Sequence, residues 1–122
     1  MKHTISLLLS LSLIACSGKT GKEEKEIATQ EFINCNFQSA KQNAQLAIDY
    51  ADGNVEIAVP ALLIIGKSSE FLGEKSDAFE KIVELAPGVQ TASDAKKIAN
   101  NFVKQLSIKA PEKVKACPQL QS

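Results

Sequence analysis

The chain predicts an all-α fold, a small bundle of about four helices within a single domain. Two observations predict it. From Cys35 onward apolar residues recur at three- and four-residue steps, and short Asp-Gly and Pro-Gly breakers divide those runs. The 122 residues suit one domain. With 44% hydrophobic and 23% charged residues, the composition is that of a globular chain with a core to bury, not of a disordered one.

In the first predicted helix, Phe37, Ala40, Ala44, Ala47, Ile48 and Ala51 form one apolar stripe, and no proline interrupts the chain before residue 60. Asp52-Gly53-Asn54 ends it and offers Asn54 as the next N-cap. Residues 55–73 are predicted helical, kinked near Pro60 and buried on most sides. The alternation of Val55, Ile57 and Val59 leaves a strand or irregular start over 55–59 as the alternative. In the third helix Ser76 is the cap, Phe79, Ile82, Val83 and Ala86 are the stripe, and Pro87-Gly88 is the end. The fourth has the clearest stripe: Ala95, Ile98, Ala99, Phe102, Val103 and Leu106, capped by Thr91 or Ser93 and broken at Ala110-Pro111. At most one more turn follows before Cys117. No internal repeat is evident.

Charge excludes one functional class. All 14 basic residues are lysine and 14 acids balance them. Nucleic-acid binders depend on a basic excess and on arginine for bidentate contacts, so no nucleic acid is expected as a partner. The single histidine is His3, at the head of the first apolar run. A chain that loses that run has no imidazole for general base or metal ligand.

Met1-Lys2-His3 and the apolar stretch 4–15 have the length of a secretory leader. They fall short of the roughly 20 residues of a spanning helix. The stretch ends in Leu13-Ile14-Ala15-Cys16, followed by an abrupt polar change. This end resembles the lipobox of bacterial lipoproteins: aliphatic, small or branched, small, then an obligatory cysteine. The resemblance covers residues 1–16 only and names no family for the rest of the chain. It implies a diacylglycerol thioether on Cys16, cleavage after Ala15 and acylation of the new amine. Two or three acyl chains hold a protein durably where one does not. Ser17, where inner-membrane lipoproteins commonly carry aspartate, implies the periplasmic face of the outer membrane of a Gram-negative bacterium. An ordinary secreted protein with Cys16 buried or disulfide-bonded is the alternative.

The organisation that follows is a removed leader over 1–15, a lipidated cysteine and flexible tether over 16–30, and a helical domain over 31–122. The tether reading rests on "SGKTGKEEKE", residues 17–26, which has two glycines, six charges and no apolar side chain. Glu23–Glu26 joining the first helix is its alternative. With Cys16 assigned to lipid, Cys35 and Cys117 become an even pair in an oxidising compartment. A disulfide between them, from the start of the first helix to the end of the chain, closes the bundle. A redox-active pair would call for a Cys-x-x-Cys spacing, which is absent.

Candidate sites are few. Gly66-Lys67-Ser68 invites a phosphate-loop reading, but that motif needs a glycine at 61, where alanine stands. A helix turn whose small residues permit close packing is the better reading. Asp77, Glu80 and Glu84 share one helix face and, with Glu70 and Glu74, are candidates for a partner-binding acidic patch. A solvated face is the plainer alternative. Tyr50, beside the Asp52-Gly53 stop, is the aromatic expected to be partly exposed and the last candidate. Gln38, Gln42, Gln45, Asn100, Asn101 and Gln105 read as solvated helix surface. No paired-carboxylate cleft, metal site or cofactor is expected. The expectation is a non-enzymatic, lipid-anchored envelope protein that binds another macromolecule. The alternatives are an immunity or inhibitor protein against an envelope-targeting toxin, or an apolar-ligand carrier or holdase.

Overall fold

A computed structural model of the chain describes residues 18–114 and 117–120. Every regular element among them is helical: α1 (Lys22–Ile33), α2 (Phe37–Ala51), α3 (Val55–Leu72), α4 (Ala78–Leu85), α5 (Ala92–Lys109), the single turn α6 (Pro111–Val114) and a 3-10 turn, Pro118–Leu120. The all-α class and the disulfide are as the sequence predicts.

Capping residues set the boundaries. Asn54 accepts from the Glu56 amide and Thr91 from the Asp94 amide, so each hydroxyl or amide oxygen satisfies a donor that has no partner inside its helix. The N-cap of α4 is Asp77 and not the expected Ser76, which stands one residue earlier and accepts from the Ala78 amide at 3.1 Å. Asp52 and Gly53 both take positive φ, which stops α2. Helix α3 is continuous from Val55, so residues 55–59 are helix and not strand; Pro60 lies inside it.

Helix α1 corrects the expected tether. Residues 22–30 are helical and packed down, with Ala28 and Phe32 fully buried and Glu24 nearly so. The stretch looks like a linker because its first half holds no apolar residue. Lysine, glutamate and alanine are nevertheless strong helix formers, and the steps from 24 to 28 to 32 put one face against α2 and α3. The reversal between α1 and α2 is tight. Cys35 adopts φ +66° there, and the Asn36 amide returns to the Glu31 carbonyl at 2.8 Å. The disulfide therefore starts from this reversal and not from the head of the first helix.

Helix α2 runs back along α1, which places the Gly21 backbone against Ala47 and Ile57. Buried Ala40, Ala44, Ala47 and Ala51 line α2, and their small side chains let neighbouring backbones approach closely. Larger groups fill one end, where Phe32, Phe37, Phe71 and Phe102 cluster with ring centroids 5.0 to 6.3 Å apart. This is the first core, shared by α1, α2, α3, the second half of α5 and the C-terminal turns. The second lies between α3, α4 and α5, around Leu62, Leu63, Ala78, Ile82, Ala95 and Ala99. Ile48, Ile65 and Phe102 touch both. Helix α3 is thus the spine, wrapped on both flanks as its apolar sequence requires. On α5 the buried stripe is Ala95, Ala99 and Val103, whereas Ile98 faces outward at 42% exposure.

Candidate functional site

Cys16 lies outside the described residues. Cys35 and Cys117 are joined, with Cα atoms 5.4 Å apart across 82 residues of sequence. The C-terminal segment is also tied to α5 by the Ser107 hydroxyl, which donates to the Leu120 carbonyl. Gln119 Oε1 packs 3.3 Å from Cys35 Sγ, a sulfur that carries no proton once bridged.

The five acids singled out do not stand together as bare charges. Glu70 receives Lys67 Nζ at 2.7 Å and Lys96 Nζ at 3.2 Å. Glu74 receives Lys41 Nζ at 2.7 Å and the Gln38 amide at 2.8 Å. Asp77, the N-cap of α4, is 3.7 Å from Lys81. Glu80 and Glu84 remain exposed on α4. Burial pushes the Glu70 carboxyl up, but the hydrogen bonds from Lys67 and Lys96 outweigh it and leave it below its ordinary value. The hydrogen bond from Lys41 does the same for Glu74, against a smaller opposing desolvation. Glu70 staples α3 to α5, and Glu74, just past the end of α3, ties that end to α2.

Tyr50 is partly exposed, as expected, at 38%. Lys19 Nζ lies 5.2 Å from its ring centroid and also binds Glu24 at 3.1 Å. The hydrogen bond to Glu24 raises the Lys19 ammonium above its ordinary value. Leu46, one turn before Tyr50 on α2, is 45% exposed, so the two form a short apolar strip on that helix's outer side.

Gly66-Lys67-Ser68 sits in the middle of α3, where backbone amides are engaged within the helix, so it offers no phosphate cradle. Its small residues serve packing: a Cβ on Gly66 would run into the Phe79 ring. Lys67, however, acquires a setting the sequence did not suggest. Its side chain is only 10% exposed. Nζ donates to Glu70 and, at 2.8 Å, to Asn100 Oδ1, and lies 5.1 Å from the Phe71 ring centroid. An open groove of about 370 Å³ runs over it, lined by Lys67, Phe71, Asn100, Val103, Lys104 and Gln119. Asn100, assigned to plain solvated surface by its place in α5, is the residue that carries this lysine. The available signal was Lys67 itself, the lone cation of a mostly apolar helix.

No candidate metal group occurs among the described residues, and no helix among them is long and apolar enough to cross a membrane. Comparison with known proteins finds no matching family model, no matching curated protein and no matching solved structure.

Proposed function

We propose that the chain is an exported, lipid-anchored protein of the bacterial cell envelope whose helical domain works by binding another macromolecule, without catalysis. The carrying observation is the closed Cys35–Cys117 bridge. It fits an oxidising compartment and leaves Cys16 as the one cysteine over, at the lipobox-like end of the leader. The periplasmic face of the outer membrane is the proposed site, on the strength of Ser17. Outward-facing Leu46 and Tyr50 on α2, with Glu80 and Glu84 on α4, are the proposed contact residues, since none of them is needed to fill the core.

The anchor is tested by metabolic labelling with an alkyne fatty acid and by envelope fractionation. The native chain should take up label and sediment with outer membranes, and Cys16→Ala should do neither. Label persisting in Cys16→Ala overturns the anchor. Binding is tested by a photo-crosslinking amino acid at Leu46, Tyr50, Glu80 and Glu84 in intact cells. One discrete adduct shared by neighbouring positions is expected. Adducts at none of the four would refute these residues as the contact surface.

A further inference from the structure

We infer that the groove between α3, α5 and the C-terminal turn is a binding site for a monocarboxylate carrying a short apolar body. The inference stands independently of how the chain is anchored.

Its basis is what the groove's side chains have left to offer. An ammonium only donates, so Asn100 must turn Oδ1 to Lys67. That leaves the Asn100 amide N–H pair as its contribution to the groove. Gln119 Oε1 lies against the disulfide sulfurs, which have no proton to give it, and its Nε2 has no partner among the described residues. Lys104 lines the groove with no partner among the described residues. The Asn100 amide N–H pair and the Lys104 ammonium are therefore uncommitted donors on this lining, and Asn100 Oδ1 is already engaged by Lys67. Such a set suits an acceptor-only group, and an ionised carboxylate is one.

Charge and shape narrow the ligand further. Lys67 is already matched by Glu70, so Lys104 is the one uncommitted cation among the lining residues. One cation favours a monoanion over a doubly charged phosphate. Phe71 and the nearly buried Val103 supply apolar contact beside the donors. They suit a ligand whose carboxylate sits next to hydrocarbon or a ring. The same chemistry occurs in a free organic acid and at the C-terminus of a peptide.

The test uses the full chain, 15N-labelled, in detergent micelles, with 3-phenylpropanoate as the probe. Saturable shifts of the Asn100 and Gln119 side-chain amide signals are expected, and 3-phenylpropanamide should leave them in place. Lys104→Gln, a change at an exposed side chain, should weaken the probe roughly tenfold with unaltered thermal melting. A tripeptide ending in phenylalanine, with free or amidated carboxyl, distinguishes the sources. If the free-carboxyl peptide binds at least as well as the probe, the site reads a chain terminus; if only the probe binds, it takes a free acid. No saturation by either, equal response to the amides, or unchanged affinity in Lys104→Gln overturns the proposal.

Discussion

Ser68 and Ser69 bury their hydroxyls in α3 with no hydrogen-bond partner among the described residues. A helical serine usually bonds back to the carbonyl four residues earlier, and a buried hydroxyl without a partner carries its full desolvation cost. Ser68→Ala should therefore stabilise the domain, by about 1–2 kcal/mol once alanine's better helix propensity is added. Urea denaturation measures it, and a loss of stability would show that the hydroxyl is bonded in solution. Gly21 behaves oppositely. Its φ of +91° disfavours any side chain, and a Cβ there would collide with the Ala47 carbonyl. Gly21→Ala should cost about 2–3 kcal/mol, from left-handed strain plus overpacking. The same denaturation curve would exclude that account if the midpoint stayed put. Gly21 reads as a linker glycine in sequence, because nothing nearby announces that α2 passes over it.

Helix α1 is the element for which the difference between tether and domain matters. A docked helix shields its backbone from proteases, whereas a tether does not. Limited trypsin digestion should spare the bond after Lys25, and rapid cleavage there would restore the tether. Helix α3 is held to its neighbours partly by Glu70 and Glu74, whose carboxyls are both depressed below the ordinary 4.5. A depressed folded value means the contribution is fully present above pH 4.5 and is lost as pH falls through the lower folded value. Stability should thus decline on acidification below pH 4.5, and less so in Glu70→Gln. Both pairs are partly exposed, so salt should diminish the difference. An identical pH profile for Glu70→Gln in low salt would remove Glu70 from the explanation. The helical face of α3 was legible from its apolar run. Its cross-helix ion pairs were not, because Lys96 and Lys41 lie 26 or more residues away in sequence; only Lys67–Glu70 is a local i,i+3 pair.

At the scale of the molecule, one covalent link joins the α1–α2 reversal to the C-terminal turns. Bridging residues 82 apart restricts the unfolded chain by about 4–5 kcal/mol in the loop-entropy treatment. For so small a domain that is comparable with its whole stability. Reduction should lower the urea midpoint accordingly, and an unmoved midpoint would mean that the two cores suffice. The bridge also positions Gln119 beside the groove. Reduction should therefore weaken any ligand held there as well as the fold.

Local chemistry determined much of this protein. Apolar periodicity specified α2 to α5, and Asn54 and Thr91 marked where two of them begin, since caps act on amides two or three residues away. The cysteine pairing followed from the leader-like start and the compartment it implies. The docking of α1, the paired state of Glu70 and Glu74, and the Lys67 groove were decided only in three dimensions. A polar helix becomes part of a core when a distant surface covers its few buried residues. Lys67 has Glu70 one turn along its own helix, but its second partner, Asn100, reaches it only because α5 packs on α3. Both conditions depend on which helices meet, and residue spacing within one helix does not encode that meeting.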